Sequence, residues 1–472
     1  MKTIASYILA AMAAAAFISC DDSHKPDWSE TEPVNLSVSS VSISDGATVS
    51  TSTGSIEVVY SENIAINSLV NITLNSTDVS SVVVEDGNKL VATVSLQPAT
   101  DYVFNIPSRA VAGVGSKTFA PEVTINFRTD GTSPAPADKV IDKSLLTTTL
   151  TNAAASDKAK AIYQLLVDNY GNHQLSGAMG QVAWSTEFCD YIFDSTGKYP
   201  AIVGFDYIHL ASSPANWIDY GDITPVKNAW EAGSIPAMTW HWNVPKSEDD
   251  PSLGYDAKSD AFSAANVLVE GTWENRVATA DVEKLAGYLK LLKDADIPLL
   301  WRPFHEAAGD YTWGSWFWWG NSGVETTKEL WKWLRNKLEN EYGLDNLIWV
   351  WTVQTSDEGK SADLSKIKTA YPGDELVDIV GADLYLEPLS NSLENFRLLY
   401  DLTGGKKIVA LSECGNLLDV ESAFNQGALW SYFMGWYDLK DGAYGFHELN
   451  TAGEWKTVLD NPLVLNRGDF RF

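Results

Sequence analysis

Cysteine is scarce in this chain. There are three in 472 residues, at Cys20, Cys189 and Cys414. So few exclude a disulfide-stapled scaffold, and no two have the spacing of zinc ligands. Whether Cys189 and Cys414 meet is not legible from their positions. Positive charge is also short: 33 Lys and Arg stand against 62 Asp and Glu, for a net charge of −29. A phosphate backbone would be repelled, so nucleic acid is disfavoured as a partner, and no basic patch invites anionic lipids. A neutral polymer is indifferent to such a charge. Histidine numbers only 6. His173, His209 and His447 lack acidic or thiol partners at ligand spacing, so neither a metal nor a cofactor is expected. Long apolar runs are missing beyond the N-terminus, and no later segment is apolar enough to span a bilayer.

What is present is enough chain for two or three domains, with the 45% hydrophobic content of a folded globular protein. Lys2 precedes an alanine-rich apolar run from Ile4 to Ile18. That is the charged start and short apolar stretch of a secretory signal. The run closes on Phe17-Ile18-Ser19-Cys20, which resembles a bacterial lipobox; the resemblance implies lipidation of Cys20 after removal of residues 1–19. An ordinary signal peptide is the plainer alternative. Asp21-Asp22 and a polar stretch to Pro33 resemble the acidic export signals of bacterial surface lipoproteins. The implied location is the bacterial cell envelope, lipid-anchored to the outer membrane and surface-exposed. Several acyl chains on one cysteine meet the requirement for stable anchoring.

Trp28 is the only tryptophan before Trp184, and the other 18 follow. This shift marks a domain boundary. Residues 34–129 carry short β-runs about ten residues apart, among them Ser55–Tyr60, Leu90–Val94, Tyr102–Ile106 and Val123–Phe127, with an Asp86-Gly87 hairpin signal. An all-β sandwich of about seven strands, resembling a bacterial Ig-like domain, is expected. It lacks exposed aromatics for a sugar platform and reads as a spacer. Residues 130–140, rich in Pro and Ala, read as a linker.

From 141 to 472 apolar strands alternate with amphipathic helices. The expected strands are His173–Gly180, Pro200–Tyr207, Ile235–Trp242, Pro298–Glu306, Leu347–Gln354, Val377–Tyr385, Lys407–Gly415 and Trp430–Tyr437. Val282, Leu285, Leu289 and Leu292 share one helix face, as do Leu330, Trp331, Leu334 and Leu338. The pattern predicts an α/β fold, the (β/α)8 TIM barrel, with catalytic groups at the C-terminal ends of its strands. The fourth strand ends in His305-Glu306 and the seventh in Ser412-Glu413. A carboxylate closing an apolar strand is costly unless it faces a polar pocket. Two of them across a barrel mouth suit glycoside hydrolysis, in which one protonates the leaving oxygen and the other attacks the anomeric carbon. Placement on the fourth and seventh strands suits the ~5–5.5 Å separation of retaining enzymes. His305 can bond a sugar hydroxyl or the opposite carboxylate, and Tyr385 can hold the nucleophile. The loop after Glu306 is dense in tryptophan, with Trp313, Trp316, Trp318 and Trp319. Such rings stack on pyranose faces unless they are core.

Arg302-Pro303-Phe304-His305-Glu306, Trp316-Phe317-Trp318-Trp319-Gly320 and Ser412-Glu413-Cys414-Gly415 resemble the motifs of glycoside hydrolase family 26, mainly β-mannanases. Thr239-Trp240-His241-Trp242, Trp349-Val350-Trp351 and Asp383-Leu384-Tyr385 match in order, so the resemblance covers about 140–472. It implies Glu306 as acid/base and Glu413 as nucleophile, with His241, Trp242, His305, Trp316, Tyr385 and Trp436 contacting substrate. Two departures stand out: extra residues Asp310–Trp313, which leave open whether Trp313 or Trp316 stacks on the sugar, and Cys414 beside the nucleophile. The activity implied is that of an endo-β-1,4-mannanase on mannan, galactomannan or glucomannan, acting as a monomer. The alternatives are a family member acting on β-glucan or β-1,3-xylan, and a non-catalytic glycan-binding lipoprotein, which would be expected to have lost a carboxylate.

Overall fold

The computed structural model describes residues 36–50, 53–68, 70–75, 77–79, 81–94, 96, 100–130, 141–182, 184–255, 261–307, 317–354, 364–385, 389–440, 443–444, 446 and 449–472. Cys20 and the expected signal and tether lie outside them, as do most of the linker, Trp313 and Trp316. The chain divides into two compact units, the first ending at Ala135 and the second beginning at Pro136. Among the described residues no helix is long and apolar enough to cross a membrane.

The first unit is strand-rich. A four-stranded sheet orders Val38–Val41, Ser55–Tyr60, Lys89–Thr93 and Val82–Glu85. A five-stranded sheet orders Ala47–Val49, Val123–Thr129, Asp101–Ile106, Thr73–Leu74 and Thr77–Asp78. Alternate residues turn inward, as the strand period of two requires. Ile56, Val58, Tyr60, Leu90 and Ala92 come from one sheet, Phe104, Ile106, Ile125 and Phe127 from the other, and together they form one core. This is a β-sandwich. Asp86-Gly87 forms the expected hairpin, with Glu85 paired to Lys89. The loop is three residues long, Asp86–Asn88, and Asp86 and Gly87 have positive φ, 51° and 79°, the left-handed region that Gly and Asp enter most readily in turns.

The second unit is a closed barrel of eight parallel strands. They are β1 (Gly177–Gln181), β2 (Ile202–Asp206), β3 (Ile235–Thr239), β4 (Leu299–Arg302), β5 (Leu347–Gln354), β6 (Ile379–Leu384), β7 (Ile408–Cys414) and β8 (Phe433–Gly435). Each falls within, or within one residue of, an expected apolar run. The runs overshoot at their ends: Gln174–Leu175 leaves the barrel to pair with Val464–Leu465. Closure joins Ala178 to Gly435. It needs a glycine at 177, where a Cβ would sit 2.4 Å from the Phe433 carbonyl oxygen.

Helices cover the barrel. Helix α1 (Trp273–Asp294), between β3 and β4, starts at Thr272, whose hydroxyl caps the amide of Asn275. Its apolar stripe of Ala278, Val282, Leu285, Leu289 and Leu292 is buried. Helix α2 (Val324–Arg335) buries Leu330, Trp331 and Leu334, and Leu338 continues that stripe through a π-helical turn over Asn336–Glu341. Both stripes are the ones expected from periodicity. Cys189 and Cys414 are buried free thiols and form no bridge.

Candidate active site

The C-terminal strand ends form a polar layer. Register pairs Asp206 with Thr239 and Thr239 with Arg302 across β2, β3 and β4. On the far side it pairs Asp383 with Glu413 across β6 and β7, after an irregularity beyond Ala382. A bulge of this kind re-aims side chains next to a site. Arg302 crosses the barrel and links the two halves. Its Nη1 donates to Asp383 Oδ2 at 2.6 Å, and its Nη2 donates to Glu413 Oε2 at 2.5 Å and to Thr239 Oγ1 at 3.2 Å. Burial works against the guanidinium charge, but Asp383, Glu413 and Glu306 outweigh it and push the Arg302 pKa up.

Glu413 is 4% exposed. Its second oxygen, Oε1, accepts from the Tyr385 hydroxyl. Burial, followed by Glu413, holds the Tyr385 phenol well above its ordinary range, so it remains a donor. With both oxygens engaged, the carboxylate is fixed in one plane. Asp383 is not a second reactive carboxylate; it is fully buried and holds Arg302. Its Oδ1 accepts from Ser412 Oγ at 2.9 Å. Burial lifts its pKa to about 7, with Arg302 and Ser412 opposing and Glu413 adding to the rise.

Glu306 lies just past β4, which stops at Arg302, four residues short of the expected end. The chain turns there: Phe304 and Glu306 have φ of 49° and 54°, the left-handed region that non-glycine residues enter at a cost. Trp319 holds the turn, since its Nε1 donates to the His305 carbonyl at 2.9 Å. Glu306 is 9% exposed, and its charge, with that of Glu413, bears on both Arg302 and Tyr385.

The two histidines are joined. Asp206, fully buried at the end of β2, accepts the His241 amide at 3.1 Å through Oδ1 and meets His241 Nδ1 through Oδ2. His241 Nε2 then lies 3.1 Å from His305 Nε2. Burial opposes a charge on His241, but Asp206 and, farther off, Glu413 raise its pKa above the ordinary 6.5. Burial, His241 and Arg302 drive His305 well below that value. His305 is therefore neutral and uses Nε2 toward His241. Its buried Nδ1 has no hydrogen-bond partner among the described residues.

Aromatic rings form the walls. Tyr255, Phe317 and Trp436 set their rings edge to face with His241 at centroid distances of 5.8, 5.5 and 5.9 Å. Trp436 is half-buried, and its amide is tied to the Cys414 carbonyl at 2.8 Å. Trp318 and Trp319 are core, fully buried.

Trp242, expected at the substrate surface, is a correction. It is 1% exposed and stacked on Trp240 at 3.9 Å. Its Nε1 donates to Asp281 of α1 at 2.8 Å, and its carbonyl accepts from Trp318. It backs the wall that carries His241. The structure therefore brings His241, His305, Glu306, Tyr385, Glu413 and Trp436 together, while Trp316 lies outside the described residues. Three members of the layer were not singled out from sequence. Asp206 closes an apolar strand, the same signal that marks Glu306 and Glu413. Arg302 stood in a motif without a role. Tyr255 had no sequence signal; a short hairpin of Val244–Pro245 with Leu253–Gly254 delivers it. Among the described residues no cluster of three His, Cys, Asp or Glu side chains is arranged to hold a metal.

The chain is similar to several known proteins. Mannan endo-1,4-beta-mannosidase B of Piromyces sp is 34% identical over 339 residues, which is 70% of this chain and 55% of that protein. The mannan endo-1,4-beta-mannosidase of Thermothelomyces thermophilus is 33% identical over 67% of this chain and 62% of its own. The chain thus spans little more than half the length of such relatives. Among solved structures, the GH26 domain of a Prevotella bryantii endo-beta-mannanase/endo-beta-glucanase is 37% identical, with a TM-score of 0.61, over 68% of this chain and 99% of that one. A beta-mannanase from a symbiotic protist of the termite Reticulitermes speratus, complexed with gluco-manno-oligosaccharide, is 31% identical, with a TM-score of 0.59, over 69% and 98%. The model of glycosyl hydrolase family 26 matches residues 151–469, and the chain belongs to that family.

Proposed function

We propose that the protein is a retaining endo-β-1,4-mannanase acting on mannan, galactomannan or glucomannan. The observation that carries this is the held carboxylate of Glu413, which accepts from Arg302 and Tyr385, with Glu306 close enough for its charge to bear on both donors. Glu306 protonates the glycosidic oxygen as that bond breaks, and Glu413 attacks the anomeric carbon to form a glycosyl ester. Glu306, now ionised, takes a proton from water, which attacks the same carbon and releases Glu413. Arg302 and Tyr385 fix the nucleophile's plane, while His241, His305 and Trp436 line the sugar that reacts. The mannan substrate rests on the relatives' named activity and on the gluco-manno-oligosaccharide held by the termite-symbiont enzyme. Domain limits at 1–19, 20–33, 34–129, 130–140 and 141–472, lipidation of Cys20, an Ig-like spacer, a monomeric state and outer-membrane surface display complete the proposal.

The test is product release from galactomannan, glucomannan, β-glucan and xylan by wild type and Glu413→Ala. Manno-oligosaccharides from the first and none from the second are expected, with the β-anomer formed first by nuclear magnetic resonance. Release from β-glucan or xylan alone moves the substrate. Equal release by the variant removes Glu413 from the chemistry.

A further inference from the structure

Glu413 leads into a turn. Gly415, Asn416 and Leu417 follow β7, and each is held by the end of the loop that leaves β8. Asn416 Nδ2 donates to the Leu449 carbonyl at 2.6 Å. The Leu417 amide donates to Asn450 Oδ1 at 2.7 Å, and Asn450 Nδ2 donates to the Gly415 carbonyl at 2.7 Å. Asn450 is only 7% exposed. Its amide stands in for a peptide group, giving one donor and one acceptor to two backbone partners. Among side chains of this size asparagine alone offers both; an ionised aspartate only accepts, and leucine does neither.

The clamp is itself anchored. The Leu449 amide donates to Oδ2 of buried Asp438 at 3.2 Å, which stitches the two ends of the β8 loop together. Thr451, next after Asn450, forms a capping box with Glu454 at the start of the helix Ala452–Asp460. Trp455 of that helix is fully buried against β8, where a Cβ on Gly435 would sit 2.7 Å from its ring. Asn450 is therefore fixed by the start of a packed helix.

On its other side the turn meets Tyr385. The Gly415 amide donates to the Leu384 carbonyl at 3.0 Å. A Cβ on Gly415 would lie 2.8 Å from Tyr385 Cδ1, so the phenol ring rests against bare backbone. That ring carries the hydroxyl that donates to Glu413 Oε1. We propose that Asn450 is a positioning residue for the reaction: by holding Gly415 it fixes where Tyr385 stands, and through Tyr385 it fixes the carboxylate plane of Glu413. It touches no reacting atom. The role rests on the reading of Glu413 as nucleophile and adds a residue of the β8 loop that none of the strand-end motifs contains.

The experiment is a double-mutant cycle in the full-length protein, with Asn450→Ala, Asn450→Asp and Tyr385→Phe assayed on galactomannan. Asn450→Ala removes both bonds. Asn450→Asp keeps the shape and the acceptor for Leu417 but sets an oxygen against the Gly415 carbonyl. Each is expected to lower kcat by about 10- to 30-fold, short of the ~100-fold of a full ~1 Å misplacement. KM is expected to stay within about twofold of wild type, because the ground-state contacts to substrate remain. In the Tyr385→Phe background, where the hydroxyl is already gone, the same substitutions are expected to cost less than about threefold. A clamp that is only structural costs the same factor in both backgrounds, and that result, or a loss confined to KM, overturns the proposal. Wild-type kcat in Asn450→Asp, the variant that decides if Asn450→Ala does not fold, overturns it as well. Full activity of Glu413→Ala removes the nucleophile and the role of Asn450 with it, whereas an inactive Glu413→Ala beside equal factors in the two backgrounds strikes Asn450 alone. If wild type cleaves another glycan in place of mannan, the same cycle on that glycan decides.

Discussion

Arg302 shows how much of the site hangs on single residues. It neutralises two buried carboxylates at once, and a buried charge without a partner costs several kcal/mol. Asp206 does the same for His241, and through it orients His305. A histidine whose folded pKa exceeds its unfolded value adds stability that is complete below the unfolded value, near 6.5, and fades as pH rises through the folded one. Asp206→Asn removes that contribution. Urea unfolding is expected to show a larger stability gap between wild type and variant at about pH 5.5 than at about pH 9. With His241 released, kcat/KM is expected to drop by about 100-fold, the scale of a misplaced contact. An equal gap at both pH values would remove the charge on His241 from the account.

At the scale of elements, helix α1 does more than cover the barrel. It reaches the end of β3 through Asp281, which receives Trp242 Nε1 at 2.8 Å. Burial lifts the Asp281 carboxyl to about 6, against the pull of Trp242 and Lys284. The folded state therefore holds this proton to higher pH than the unfolded chain does. The group's contribution to stability falls as pH rises from about 4 to about 6, and the loss persists above that. Asp281→Asn keeps an acceptor for Trp242 without burying a charge. Chemical unfolding is expected to find the variant more stable by about 1–2 kcal/mol at neutral pH and matched to wild type near pH 4. A variant less stable at neutral pH would mean that the ionised carboxylate, rather than an acceptor alone, anchors Trp242.

The whole molecule joins a sandwich with its own core to a barrel with another. Its net charge of −29 repels polyanions but has no purchase on an uncharged glycan. Salt screens charge–charge attraction and leaves stacking and hydrogen bonding largely alone. KM on galactomannan is therefore expected to stay within about twofold from low to high salt. A steep rise of KM with salt would point to an acidic or basic substrate.

Much of this protein is legible in order along the chain, because its physics is local. Apolar runs of strand length name all eight barrel strands, and the stripe from Val282 to Leu292 names the buried face of α1. Glu306 and Glu413 stand out because an apolar strand does not end in a carboxylate without a polar pocket to receive it. Asp206 obeys the same rule and was equally readable. What the chain order could not say is which side chains meet. Arg302 finds Glu413 across 111 residues of sequence, and only closure of the barrel, at Ala178 and Gly435, makes them neighbours. Trp242 and Trp436 look alike as strand-end tryptophans. One is sealed behind Trp240 and Trp318 and the other faces His241, because packing around the loops, not strand periodicity, sets side-chain direction once the strands have ended. Tyr255 reaches the site only through a hairpin. Residue types and periodicity decide the elements, whereas the pairing of charges and the choice of exposed rings belong to the closed barrel, where burial sets the cost of every unpaired group.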